Sequence, residues 1–535
     1  MERRTLLKLA GAGAALMTQV SRDAAAQTAA SSKSFELAEA TVGDLASAMQ
    51  SGARTSASIT ELYLARIDAI DRAGPTVNSV IERNPDALAI AEALDRERKD
   101  KGARGPLHCV PVLIKDNIDT ADKMRTSAGS LALGAHTPQR DAFIVERLRA
   151  AGCVILGKTN LSEWANFRSS RSTSAWSGRG GQTRNPYALD RNTSGSSSGT
   201  GAAISADLCA IGVGTETDGS IVSPASACGL VGIKPTVGLL SRSGIIPISH
   251  TQDTPGPMTR TVTDAAILLG AMAGVDARDA ATRSSAGKAV ADYTRFLDAG
   301  GLAGARIGVA RDFFGSNDRI DSVVEEGIAA MRSAGAVIVD PVKIPGVDKL
   351  GASEIEVLLY EFKADLDAYL ATLGPQAPVH SLADLIAYNA SNAAQEMPYF
   401  AQERLVDAQK KGPLTDVAYR KALAACRRLS RAQGIDAVMT KHRLDALCAP
   451  TGPIAWLIDY PTGDHADGGC SQFPAVAGYP HITVPAGFAF ELPVGISFFA
   501  GAYSEPSLIR IAYAFEQTTK ARRPPQFKPS LTFKG

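Results

Sequence analysis

The sequence predicts an α/β protein, one large domain in which a central sheet is covered by helices on both faces. Three observations lead there. From about Gly105 the chain breaks into short apolar runs set between Gly, Pro and Asn, such as Val110–Ile114 and Cys153–Leu156, as strands buried on both faces do. Asp141–Ala151 lies between these two runs and reads as a crossover helix. Residues from about 275 to 447 are largely of helical character, an insertion into the α/β core.

Taken in order, the N-terminus carries Arg3 and Arg4, a short apolar stretch to Met17, and Ala24-Ala25-Ala26 before Gln27. This pattern predicts a signal peptide of the twin-arginine type over residues 1–26, too short to span a bilayer. A periplasmic or secreted location follows as an expectation, with a net charge of about −1 after cleavage. Residues 27–36 are polar and are expected to be a flexible lead-in to a domain over 37–535. A helical region starts at Thr41. After Thr55 and Ser56, Ile59, Leu62, Tyr63, Arg66, Ile67 and Ile70 keep a 3.6-residue period. In the insertion, Ile355, Leu358, Leu359, Phe362, Leu366 and Leu370 form one apolar stripe, expected to be core. Strand-like chain returns at Ala446–Ala449, His481–Pro485 and Val494–Phe499, and a last helix lies near Ser507–Thr519.

Composition removes several function classes. The 56 Lys+Arg against 55 Asp+Glu give a net charge of +1, without the basic footprint of a nucleic-acid binder. The seven Cys are scattered, with no CxxC and no HExxH motif, so neither a metal site nor a cofactor is implied. Isolated Cys in apolar settings read as buried free thiols. No stretch has 18 uninterrupted apolar residues, so no membrane anchor is expected.

Three serine patterns compete for the chemistry. Gly195-Ser196-Ser197-Ser198-Gly199 matches GxSxG with Ser197 at its centre, but a polar loop precedes it instead of the strand a nucleophile elbow requires. Ser285-Ala286-Gly287-Lys288 matches SxxK without its companion motifs. The third, Gly214-Thr215-Glu216-Thr217-Asp218-Gly219-Ser220-Ile221, follows the apolar run Leu208–Val213. A strand ending in small and polar residues can leave successive backbone N–H groups free to stabilise an oxyanion. Ser220 at its end is placed as a nucleophile and needs a base. No His lies in a pairing motif. Lys115, after the run Val110–Ile114, is the better candidate, because burial disfavours the charged amine.

The segments Val110–Asn117, Ser194–Gly201 and Gly214–Ala225 together resemble the amidase signature family. Gly157–Trp164, Gly232–Pro235, Gly256–Met258 and Leu492–Gly495 support the likeness, in the family's order, over the chain from about residue 37 onward. Glu216–Val222 and Glu361–Leu366 are most similar to bacterial peptide amidases. The resemblance implies a twisted, mixed sheet and a Ser–Ser–Lys triad. In it Ser220 is the nucleophile, Ser196 the bridging serine on a non-proline cis peptide, and Lys115 the base. The backbone N–H groups of Thr217, Asp218, Gly219 and Ser220 would form the oxyanion hole. The implied reaction is hydrolysis of a carboxamide C–N bond to acid plus ammonia or amine through an acyl-enzyme on Ser220. Ester, carbamate and aryl-acylamide hydrolysis are alternatives, and the hydrolase component of a glutaminyl-tRNA-forming amidotransferase is a more distant one. The sequence departs from the family in Asp218, read here as a turn-former bonding its own backbone, and in Val222 and Ser223, where an Arg is common. Losing that Arg favours neutral substrates over carboxylates. Substrate-contacting residues are expected from the insertion and from loops such as Lys123–Ser130. Oligomeric state is not legible.

Overall fold

The computed structural model describes residues 37–532. The chain divides into a short unit, Met1–Ala38, and Glu39–Gly535. The expected signal peptide and the lead-in 27–36 lie outside the described residues.

Within Glu39–Gly535, the strands are β1 (Val80–Arg83), β2 (Pro111–Lys115), β3 (Val154–Thr159), β4 (Trp176–Ser177), β5 (Gly181–Gln182), β6 (Ile211–Glu216) and β7 (Val231–Lys234). They continue with β8 (Thr254–Thr259), β9 (Arg306–Ala310), β10 (Val337–Val342), β11 (Ala446–Pro450), β12 (His481–Ala489) and β13 (Leu492–Phe499). All but the β4–β5 ribbon join one 11-stranded sheet in the order β1-β3-β2-β6-β8-β7-β12-β13-β11-β9-β10. The sheet is mixed: β2 runs parallel to both β3 and β6, while β6 and β7 each run antiparallel to β8. Every residue of β2, β3, β6, β7, β8, β11 and β13 is buried, so both faces of the central strands are covered, as their unbroken apolar runs require. Among the described strands only the edge strand β10 is largely exposed.

The crossover helix between β2 and β3 spans Phe143–Ala150 and buries Ile144, Val145 and Leu148. Near the N-terminus, Thr41 caps the helix Val42–Gln50 through a reciprocal pair with Asp44, satisfying donors that the first turn leaves free. The helix after Thr55 ends at Arg66 and continues as a wider turn over Ile67–Arg72.

The insertion is less purely helical than its sequence suggests. It contains β9 and β10, which extend the sheet beyond β11. Exposure masks β10, which reads Val-Ile-Val-Asp-Pro-Val with most side chains partly or fully exposed, a weak apolar signal; β9 is buried but only five residues long. The stripe on the helix Gly351–Leu370 is core. Leu358, Leu359, Phe362, Leu366 and Leu370 pack with Leu382, Leu385 and Leu405 from neighbouring helices, and Ile355 lies at the edge. All seven Cys are free and buried. Burial pushes the thiols up, Cys109 to about 11 and Cys470 to about 12. Among the described residues no helix is long and apolar enough to cross a membrane.

Candidate active site

The site forms where three segments converge at the strand ends of β2 and β6. Lys115 is the last residue of β2 and is fully buried. Neighbouring β6 ends at Glu216 and feeds the turn Thr217–Ile221, followed by the short helix Val222–Ala227. The Ser/Gly segment runs beneath that turn and becomes the buried helix Ser198–Ser205.

Lys115 Nζ lies 2.8 Å from Ser196 Oγ, 2.9 Å from Thr215 Oγ1 and 3.2 Å from the Thr215 carbonyl. Burial lowers its pKa to about 7, and the negative charges of Asp253 and Glu216 only partly offset this. A neutral amine donates twice and accepts once. With both N–H bonds on Thr215, its lone pair faces the Ser196 hydroxyl. Asn117 Nδ2 donates to Thr215 Oγ1 at 3.0 Å, fixing that partner.

Ser196 follows a cis peptide bond from Gly195, and its carbonyl accepts from Ser162 N at 3.1 Å. A Cβ on Gly195 would overlap Ser162 Oγ and push it from the position where it accepts from Ala175 N at 2.8 Å. Ser220 is tied to the same segment by Ser197 N donating to its carbonyl at 3.1 Å. Its hydroxyl is 7% exposed as a residue and makes no side-chain hydrogen bond among the described residues. The Lys115–Ser196 link is therefore formed, while Ser196 and Ser220 share a loop core without a direct hydroxyl contact. Such contacts commonly tighten only when substrate binds.

Glu216 explains why the turn stays open. Its Oε2 accepts from Ile221 N at 2.8 Å and Val222 N at 3.1 Å, bridging the turn from below. Thr217, Asp218, Gly219 and Ser220 then donate no backbone N–H to a carbonyl among the described residues, although Gly219 N–H is turned toward Glu216. Gly219 has φ +77°, a left-handed conformation that glycine adopts without strain.

Two sequence readings change. Asp218 makes no turn bond to its own backbone. Its carboxyl is pushed well above the usual range by burial and by Glu354, and its Oδ1 has no partner. The loop Lys123–Ser130 does not line the cavity beside Thr215 and Thr217, a space of about 450 Å³ walled by Asn117, Thr215, Thr217, Ile246, Asp253 and Tyr369. The insertion does contribute, through Arg278, Asp279, Asp365 and Tyr369. The rejected serines are accounted for. Ser197 Oγ donates to the Thr215 carbonyl at 3.0 Å inside the core, and Ser285 Oγ is bonded to its own turn.

Sequence reasoning missed Thr215 and Asn117 as partners of the lysine, and Asp253 as a charge acting on it. Asn117 and Thr215 stood inside quoted motifs, whereas nothing local marked Asp253. One trio with metal-ligand chemistry, His250, Glu361 and Asp365, brings its ligand atoms within 4.8 Å of one another. All of these atoms already have hydrogen-bond or ion-pair partners within the protein.

Comparison with known proteins decides the family. An amidase family model matches residues 58–509. The chain belongs to the amidase family. Its fold is similar to native peptide amidase from Stenotrophomonas maltophilia, at 52% identity and a TM-score of 0.87, covering 92% of this chain and 99% of that one. A protein of Arabidopsis thaliana described as a probable amidase is 42% identical over 506 residues, 93% of each chain. A glutamyl-tRNA(Gln) amidotransferase chain of Alkalilimnicola ehrlichii is more distant, 35% identical over 495 residues, 91% of this chain and 98% of that one. This amidase is an enzyme that hydrolyses amide C–N bonds.

Proposed function

We propose that this amidase acts through Ser220 as nucleophile, Ser196 as proton relay and Lys115 as base, on neutral carboxamides that include peptide C-terminal amides. The observation that carries the reading is a fully buried Lys115, lowered to about 7, with its nitrogen 2.8 Å from Ser196 Oγ. Neutral Lys115 takes the Ser196 proton as Ser196 takes that of Ser220, and Ser220 Oγ attacks the carbonyl. The N–H groups of Thr217, Asp218, Gly219 and Ser220 receive the oxyanion, each donor worth about 3 kcal/mol in such sites. The proton returns through Ser196 to the leaving nitrogen, and the C–N bond breaks to give ammonia or amine and the acyl-enzyme. Water, deprotonated by the same relay, releases the acid and restores Ser220.

Neutral substrates are supported by the residues after the nucleophile, where Val222 and Ser223 supply no cation. The peptide-amide preference draws on the 52% identity to the Stenotrophomonas maltophilia peptide amidase. Export is supported by the paired arginines, the apolar stretch and the Ala-Ala-Ala site of residues 1–26. Covalent labelling with a fluorophosphonate, followed by peptide mapping, tests the triad. Label on Ser220, lost in Ser220→Ala and strongly slowed in Lys115→Ala, is expected, with a small residual turnover in Ser196→Ala. Label on Ser197, or full turnover in Ser220→Ala, refutes the assignment.

A further inference from the structure

We propose that His250 is a positioning residue for turnover: it straps the insertion helix Gly351–Leu370 to the loop that holds the first residue of the oxyanion turn. This rests on the Ser220 reading above.

The strap can be followed atom by atom. On the helix, Glu354, Glu361 and Asp365 are spaced i, i+7 and i+11, which places them on one face. All three meet the loop Ile248–Asp253. Asp365 Oδ2 accepts from His250 N at 2.9 Å and lies 2.8 Å from His250 Nδ1. His250 Nε2 is 3.4 Å from Glu361 Oε1. Glu361 Oε2 accepts from Ser249 Oγ, from Thr251 N at 3.1 Å and from Thr251 Oγ1 at 2.9 Å. Glu354 Oε1 accepts from Gln252 Nε2 at 3.0 Å.

The other end of the loop grips Thr217. Asp253 accepts from Thr217 Oγ1, and Gln252 Nε2 donates to the Thr217 carbonyl at 3.3 Å. Asp253 is itself set by Ile248 N and Ser249 N, each 2.8 Å away, immediately before His250. A shift at His250 therefore moves the carboxylate that fixes Thr217 and raises the pKa of Lys115.

Both ring nitrogens face carboxylates, an arrangement that suits an imidazolium with two donors. Burial alone lowers the ring's pKa, but the Asp365 hydrogen bond and the Glu361 and Asp365 charges overcome it, and the net shift is upward from 6.5. Two further neighbours are the Arg242 guanidinium, which donates to the His250 carbonyl, and the neutral Tyr419 OH, which donates to Glu361 at 2.7 Å. Arg278, Asp279 and Asp253 share the cavity beside Thr217 with His250, and Arg427 and Arg431 line a second one that His250 also borders. Losing the Nε2 proton turns a lone pair onto the Glu361 carboxylate. The strap then slackens as pH rises through the folded-state pKa of His250, whose stabilising contribution is fully present only below the unfolded value.

The test compares kcat and KM from pH 5.5 to 10 in the wild type, His250→Gln and Asp365→Asn, with an amide the wild type turns over. We expect His250→Gln to lower kcat about tenfold with KM within about twofold, and to abolish an alkaline fall in kcat. Asp365→Asn, which leaves the imidazole but removes its stronger partner, should move the midpoint of that fall to lower pH. An unchanged kcat and pH profile in both variants overturns the proposal, as does equal loss at every pH with the alkaline limb intact. Should His250→Gln fail to fold, the direction of the Asp365→Asn shift alone decides. Fluorophosphonate labelling of Ser220 in all three proteins reads the underlying nucleophile assignment separately.

Discussion

Replacing Lys115 by Met should reveal the cost of keeping a base inside the protein. Met preserves the length and burial of the side chain but carries no amine. The folded-state pKa of about 7 lies below the ordinary 10.5. At 1.36 kcal/mol per unit, the folded protein pays roughly 5 kcal/mol for this lysine where the unfolded chain holds the proton. The penalty is complete below about pH 7. Between pH 7 and 10.5 the unfolded state binds one more proton than the folded state, so wild-type stability gains on the variant by about 1.4 kcal/mol per pH unit. The variant loses the bonds to Ser196 and Thr215, each worth about 1 kcal/mol, which shifts the whole difference without changing its slope. The assay is urea denaturation of both proteins at pH 6, 7, 8 and 9, comparing midpoints at a common slope. The expected result is an advantage for Met that is constant at low pH and shrinks steadily above about pH 7. A difference that stays flat from pH 6 to 9 would refute the reasoning, because Lys115 would then titrate alike in both states and could not serve as a neutral base near pH 7.

Three further outcomes can be checked alongside. In the wild type, the acidic limb of kcat/KM for an amide should rise with unit slope below about pH 7, as Lys115 loses its proton, and turn over into the alkaline fall set by His250; in Glu216→Gln the acidic limb should move to lower pH, since the carboxylate raises the lysine's pKa, and kcat should drop about tenfold as the turn loosens. Gly195→Ala should accumulate poorly as folded protein, and what folds should lack fluorophosphonate reactivity, because the added methyl group overlaps Ser162 Oγ. Phe362→Ala, in the middle of the insertion stripe with its ring tilted against that of Phe167 at a centroid distance of 5.0 Å, should cost about 3–5 kcal/mol in denaturation while leaving the acidic limb of kcat/KM in place.

The parts of this molecule that were legible in the sequence are those whose signal is local. Val110–Ile114 had to be a strand buried on both faces, because no polar residue interrupts it. The stripe from Ile355 to Leu370 had to face a core because its period admits no other wet side. Lys115 stood out because a charged residue ends an apolar run, and Ser220 because small residues precede it. The rest depends on contacts distant in sequence. Asp253 reaches Thr217 from 36 positions away and the Glu361 carboxylate reaches Ser249 from 112, and no periodicity encodes such pairs. Asp218 was misread for the same reason, since a turn-former and a buried carboxyl facing Glu354 look identical in one dimension. Strand β10 escaped notice because an exposed edge strand alternates too weakly against surrounding helices, and β9 because its buried run, Arg306–Ala310, is only five residues long.

The Ser/Gly run around residues 194–201 has the composition of a tether, yet it is among the least yielding stretches of the molecule. Ser196, Ser197, Ser198 and Thr200 have no solvent exposure, and backbone from Ser79 and Asn160 closes over Gly199. Its amides should exchange with solvent as slowly as those of the central strands, and a protease that seeks Gly-rich loops should pass it by. Adaptation to new amides therefore has unequal freedom across the site. The floor beneath Ser220 has no spare volume for larger side chains, whereas the cavity wall lent by the insertion can vary in size and polarity without disturbing it.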